Sequence, residues 1–136
     1  MEIKVFGRLP EESKNIRIKV FVEEQGFREE FDSVDDSATH IVAYDGATPV
    51  ATCRFFIKDG SYLLGRIAVL KEYRGKHVGA FIMQEAQARI AALGGKRILI
   101  HAQRQARDFY VKQGYTDSGK PDYEEGCPHV WLYKDI

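Results

Sequence analysis

The sequence is poor in the residues that staple, anchor or charge a small protein. Only two of its 136 residues are cysteines, Cys53 and Cys127, and neither belongs to a C-x-x-C pair or a Cys/His cluster with zinc spacing. A disulfide framework is thereby excluded, and a reducing compartment is the simplest setting. No apolar run approaches the roughly 20 residues that cross a bilayer, and the opening Met1-Glu2-Ile3-Lys4 lacks the apolar stretch of a signal peptide. The expectation is a cytoplasmic protein with no membrane partner. Net charge is absent as well, since 20 Lys and Arg offset 20 Asp and Glu. General nucleic-acid binding needs a basic excess to displace counterions, so no nucleic-acid partner is expected. The histidines at 40, 77, 101 and 129 show no H-E-x-x-H or similar spacing, which predicts no metal. There is no G-x-S-x-G elbow for hydrolase chemistry, no Walker A loop and no G-x-G-x-x-G. No repeat and no Ser/Pro-rich linker divides the chain, so residues 1–136 read as one domain.

What is present describes an ordinary soluble globule, with 44% apolar and 29% charged residues. A chain of this length buries about two-thirds of its unfolded surface, enough to hold itself together without a metal or a disulfide. Residues 2–7 predict a short strand. Leu9-Pro10-Glu11-Glu12 opens a helix, with Pro and carboxylates in its first turn, that runs to about Glu24. Residues 27–38 read as loop or short helix. Strands follow at 40–44, 50–57 and 62–70, separated by Asp45-Gly46 and Asp59-Gly60 turn signals, as in an antiparallel meander. From Val78 the apolar period becomes helical through Phe81, Ile82, Ala86, Ile90 and Leu93, until Gly94-Gly95 stops it. A strand at 97–101, a helix at 105–113 and a strand at 129–133 complete the α/β order.

One segment carries chemistry. Ile67-Ala68-Val69 runs through Leu70–Tyr73 into Arg74-Gly75-Lys76-His77-Val78-Gly79-Ala80, a basic, glycine-containing turn that opens an amphipathic helix. Free backbone N–H groups at a helix start, the helix dipole, Arg74 and Lys76 together suit a pyrophosphate. Gly75 and Gly79 allow close backbone approach. The plain alternative is a helix start that merely follows a turn.

In its position after three antiparallel strands, this segment resembles the acetyl-CoA loop of the GNAT superfamily of N-acetyltransferases, Arg/Gln-x-x-Gly-x-Gly/Ala. Arg74, His77 and Gly79 occupy those places, so His77 replaces the middle glycine. A second stretch, Ala106-x-x-Phe109-Tyr110-x-x-x-Gly114-Tyr115, looks like the family's F-Y-x-x-x-G-F signature. Val20-Phe21-Val22-x-Glu24-Gln25, Asp35, His40 and Tyr123-x-x-x-Cys127-Pro128-His129 look like its small ElaA-like branch.

The resemblance implies an α+β fold with a mostly antiparallel twisted sheet, splayed between strands four and five and flanked by helices. It implies acetyl-CoA as donor and a small-molecule or peptide amine as acceptor. The pantetheine arm would pair with the backbone of Ile67, Ala68 and Val69, with Gln103 and Phe109 alongside. Tyr110 would protonate the departing thiolate; its alternative is a core aromatic beside Phe109. Some relatives carry Glu just before the Arg of the fourth strand, where this chain has Gly65-Arg66. Glu24 and His101 are candidate substitutes as base, against plainer readings as a solvated helix residue and a structural strand-end histidine. Residues 23–36 hold seven carboxylates and one basic residue, Arg28. That block reads as solvated surface or, with Glu29 and Glu30, as an acidic lip for a cationic amine, opposite a basic stretch from Lys71 to Arg107. The rival expectation is a non-catalytic acyl-CoA-binding module.

Overall fold

The computed structural model describes residues 1–28 and 30–136. Its elements are β1 (Glu2–Phe6), α1 (Glu11–Arg17), β2 (Thr39–Asp45), β3 (Thr48–Lys58), β4 (Ser61–Val69), α2 (Val78–Ala92), β5 (Arg97–Gln103), α3 (Arg107–Lys112), β6 (Thr116–Glu124) and β7 (Cys127–Asp135). The strands form a seven-stranded sheet in the order β1-β2-β3-β4-β5-β7-β6. Neighbours are antiparallel except β4 and β5, which are parallel and joined through α2. No helix among the described residues is long and apolar enough to cross a membrane.

The two faces of the sheet are covered unequally. On one face α2 buries Val78, Ile82, Met83, Ala86 and Ile90 against Ile41, Cys53, Phe55, Leu64, Ile98 and Ile100. Leu93 does not join them: it falls beyond the last turn of α2 and is 60% exposed. On the other face α1 packs Ile16, and the turn that follows packs Val20, against Val42, Tyr44 and Ala68. The first helix reaches Glu24 as its pattern predicts, but from Ile18 onward it is wound as a π-helix. The wider turns seat Val20 in the core and leave Glu24 at the surface.

Two irregularities shape the middle of the sheet. Thr52 of β3 faces Ala68 and Arg54 faces Gly65, so Arg66 and Ile67 of β4 both stand opposite Cys53. This β-bulge holds Arg66 at φ +48°, a left-handed conformation uncommon for a residue with a side chain. Beyond it β4 and β5 part: their pairing covers only Tyr62 with Ile98 and Leu63 with Leu99. One edge of Ile67–Val69 stays bound to β3, and the other faces open space.

The sequence reading lacks one strand. β6, Thr-Asp-Ser-Gly-Lys-Pro-Asp-Tyr-Glu, is polar and carries Gly and Pro, which read as loop. It is an edge strand, where Pro needs no partner for its missing N–H, and it pairs irregularly with β7 between Asp117 and Pro121. The predicted helix over 105–113 is a 3-10 turn, Arg104–Ala106, followed by α3.

Candidate active site

The parting of β4 and β5 opens a cavity of about 600 Å³. Ile67, Ala68 and Val69 of β4 form one wall, and Arg74, Gly75, His77, Val78, Gly79 and Ala80 form the end where α2 begins. Gln103 of β5, with Phe109 and Tyr110 of α3, lines the opposite wall, and His101 lies nearby. Of the residues expected at the cofactor, Lys76 alone does not line the cavity; its Nζ sits 5.6 Å from the centre of the Tyr73 ring.

The start of α2 is built as an open donor array. The N–H of Phe81 is bonded to the carbonyl of His77, which leaves Val78, Gly79 and Ala80 as the orphan amides of the first turn. No side chain among the described residues caps them. His77 stands before them at φ +62° and Gly75 at φ +75°. Glycine takes such angles without cost, whereas a Cβ adds about 1–2 kcal/mol. His77 is therefore a strained residue at a position whose backbone suits glycine. Gly79 matters for a different reason: a Cβ there would lie 3.1 Å from Cζ of Phe109, whose ring would have to give by a few tenths of an ångström.

Arg74 is already occupied. Its Nε donates to the carbonyl of Val69 at 3.0 Å, and its two terminal nitrogens donate to Glu24 at 2.9 and 3.0 Å. Glu24 accordingly stands at the rim, in a neighbouring cleft, as the counter-ion of Arg74. Gln103 donates to Gln25 at 2.6 Å and accepts from Gln105 at 2.8 Å, which ties the end of β5 to the end of the first helix.

Tyr110 is buried, edge-on to Phe109 at 5.1 Å and to Tyr115 at 6.5 Å between ring centres. Desolvation, reinforced by nearby Cys53, pushes its phenol well above the usual range and keeps it protonated. The Cys53 thiol is pushed up to about 12 by burial alone. It is an inert core residue.

The acidic block is solvated only in part: Glu23, Glu24, Asp32 and Asp36 are exposed, whereas Glu30 and Asp35 are buried and paired. Arg17 of α1 donates to Glu30 at 2.8 Å and to Asp35 at 2.7 and 3.0 Å. Arg54 of β3 donates to Asp32 at 2.6 Å and Asp35 at 2.8 Å, and Arg66 pairs with Glu30 at 3.0 Å. His40 bonds the carbonyl of Asp35 at 3.0 Å. Three arginines from three elements thus neutralise much of the local negative charge. Burial pushes Glu30 up against the pull of Arg66 and Arg17; Asp35 is also pushed up by burial, but its bonds to Arg17 and Arg54 outweigh this and hold it at about 2. Glu30 reaches the cavity wall only as a paired, buried group. Glu29 lies outside the described residues. The basic stretch is matched in the same way, with Arg97 paired to Asp135 and Arg107 to Asp117.

The fold also assembles a group that sequence spacing did not reveal. His101 of β5 stands opposite Trp131 of β7, with ring centres 4.5 Å apart, and His129 stacks on it diagonally at 4.6 Å. Glu124 of β6 completes a set whose ligand atoms lie within 4.8 Å of one another, and all three residues line the cavity. The partnership of β5, β7 and β6 creates this set. The only trace in the sequence is the alternation of His129, Trp131 and Tyr133 along one face of the last strand. Nδ1 of His129 is turned to the carbonyl of Cys127, at 2.8 Å.

Comparison with known proteins agrees with this geometry. A family model for the acetyltransferase (GNAT) domain matches residues 9–135. The uncharacterized N-acetyltransferase YjcF of Bacillus subtilis is 39% identical over 123 residues, 88% of each chain. Among solved structures, Escherichia coli ElaA superposes with a TM-score of 0.86 at 24% identity, over 98% of this chain and 99% of its own. An acyl-CoA N-acyltransferase from Pseudomonas aeruginosa gives 0.84 at 20% identity over 98% of each chain.

Proposed function

The chain belongs to the GNAT acetyltransferase family of CoA-dependent N-acyltransferases, and from that premise we propose that it moves the acetyl group of acetyl-CoA directly onto a primary amine. The observation that carries this reading is a single cavity in which a free strand edge, an uncapped helix start and a buried tyrosine lie in sequence along one wall after another. Acetyl-CoA brings an activated thioester. The amides of Val78, Gly79 and Ala80 receive pyrophosphate oxygens, supported by the dipole of the 15-residue α2. Arg74 adds a charge once it turns away from Glu24. Ile67, Ala68 and Val69 offer backbone groups along the edge that β5 has left, and Phe109 closes that wall against Gly79.

Tyr110 supplies a proton to sulfur as the C–S bond breaks. A phenol pushed upward by burial is a poor acid toward water. A thiolate formed in the same dry cavity loses its solvation too, so its proton affinity rises alongside and transfer stays matched. The two thiols, Cys53 and Cys127, support a reducing, cytoplasmic setting.

The test has two arms. Calorimetric titration with CoA measures the cofactor site, and release of free CoA thiol from acetyl-CoA over a panel of primary amines, with the acetylated product identified by mass, measures transfer. Saturable binding together with amine-dependent thiol release supports the proposal; binding with no product on a broad panel supports the non-catalytic alternative.

A further inference from the structure

His101, named above as a candidate base, lines the cavity together with His129 and Glu124, to which no role has been assigned. Their placement follows from the sheet. His101 lies two residues past the last β4–β5 pair, on the face opposite Ile100 and Ala102, which are buried under α2 and α3. The helix that covers this face packs on β2, β3 and β4, leaving the β5–β7–β6 portion open beside the cavity.

The hydrogen-bond inventory of the cluster leaves polar atoms without aligned partners. His129 donates through Nδ1 to the carbonyl of Cys127 at 2.8 Å, which leaves Nε2 as the nitrogen that faces the cluster. That Nε2 lies 3.4 Å from Oε2 of Glu124, with no aligned hydrogen bond between them. Nε2 of His101 is buried with no aligned partner, although Oδ2 of Asp122 lies 3.1 Å away. Two imidazoles, that of His129 buried and that of His101 partly so, thus converge with two carboxylates, and no aligned hydrogen bond joins ring to carboxylate. A primary ammonium carries three N–H donors on one nitrogen. Three acceptors bonded at ~2.9 Å to one tetrahedral nitrogen lie up to about 4.7 Å apart, and these three groups lie within 4.8 Å of one another.

We propose that His101, His129 and Glu124 form the subsite for the acceptor's ammonium group, and that His101 is the base that deprotonates it. This rests on the reading of the protein as an amine acetyltransferase. His129 and Glu124 each accept one N–H and aim the nitrogen; His101 accepts the third proton at an imidazole nitrogen. The freed lone pair forms the N–C bond, the C–S bond breaks, and the sulfur leaves with the proton of Tyr110. A second nitrogen proton restores the phenol. His101 passes its proton to Asp122, half-exposed at the rim, and from there to water. The balance is one acetyl group gained by nitrogen, one free thiol and one proton released.

The groups facing His101 set its working range. Desolvation and the neighbouring His129 lower its proton affinity, while Glu124 and Asp122 of β6 oppose them. Across the cavity Glu30 and Arg66 are paired to each other. The net shift is downward, so His101 is neutral and able to accept a proton at neutral pH.

Two measurements test the subsite. With histidine labelled at its ring nitrogens and CoA bound, the NMR signals of His101 and His129 should move saturably with n-butylammonium chloride and far less with tetramethylammonium chloride, which has the same charge and no N–H. With the amine that performs best in the transfer panel, His101→Gln should lower kcat/KM by about 10²–10⁴-fold and remove the acidic limb of the pH profile. CoA affinity should change by less than about twofold, because the loop is untouched. Equal shifts with both ammonium ions, no shifts at all, or a His101→Gln enzyme with full kcat/KM and an intact acidic limb would overturn the assignment. So would tight binding of zinc chloride at these residues with activity lost to a chelator, which makes the cluster a metal centre. If wild-type protein transfers to no amine, the proposed activity fails and the NMR arm still decides the subsite.

Discussion

Replacing Arg17 with Met should remove the cation that holds two buried carboxylates in place. Arg17 is 1% exposed and its guanidinium donates four hydrogen bonds, to the Glu30 carboxylate at 2.8 Å, to the Glu30 carbonyl at 3.0 Å and to Asp35 at 2.7 and 3.0 Å. Its loss strands both acids, but each keeps one partner: Arg66 for Glu30 and Arg54 for Asp35. Breaking a buried pair outright costs about 3–5 kcal/mol, so the surviving partners place the expected loss near the lower end, about 3 kcal/mol. For a chain of 136 residues, unfolding entropy is about 0.3 kcal/mol/K, and the midpoint should fall by about 10 °C. The pH dependence gives a second check. In the wild type Asp35 is held at about 2, below its unfolded value of 3.8, so its stabilisation is present above that value and fades as pH falls toward 2. Without Arg17 the two carboxylates titrate higher and are relieved by protonation on mild acidification. The gap between wild type and Arg17→Met in urea melts should therefore narrow from about pH 7 to about pH 4. A gap under about 1 kcal/mol at neutral pH, or one independent of pH, would refute the reasoning.

Further outcomes follow from the cofactor end. His77→Gly should raise the thermal midpoint by about 3 °C, since it removes roughly 1 kcal/mol of left-handed strain at φ +62° while leaving the α2 amides in place; differential scanning calorimetry checks it, and a lower midpoint would contradict it. Glu24→Gln should tighten CoA binding by up to about fivefold at low salt, because Arg74 no longer has to leave an exposed ion pair worth under about 1 kcal/mol; calorimetric titration at two salt concentrations reads it. Gly79→Val should weaken CoA binding in calorimetric titration, as its Cβ would press on Phe109 at 3.1 Å and its methyl groups would crowd the space beside Val69; unchanged affinity would contradict it.

The parts of the molecule written locally were readable in the sequence. The Asp45-Gly46 and Asp59-Gly60 turns bracket strands where the structure has them, and the apolar period from Val78 to Ile90 buries the face it marks. The loop at Arg74–Ala80 declared itself because its glycines and cations are contiguous. β6 stayed hidden because an edge strand needs neither an apolar face nor an unbroken donor row, and its Gly and Pro speak for turns. The acidic segment was legible only in part, for a different reason. Charge runs are counted along the chain, whereas Arg17, Arg54 and Arg66 reach Glu30, Asp32 and Asp35 from three separate elements. The His101–His129–Glu124 set depends on β7 lying between β5 and β6, a pairing that no local pattern encodes.

The most direct test of the central claim compares wild type with Tyr110→Phe in acetyl transfer to the best amine of the panel, with CoA binding measured on both proteins. The account predicts that both bind CoA within about twofold of each other and that the variant's kcat falls by about 10²-fold or more, the loss expected of a missing general acid. Full turnover by Tyr110→Phe, with binding unchanged, would contradict it.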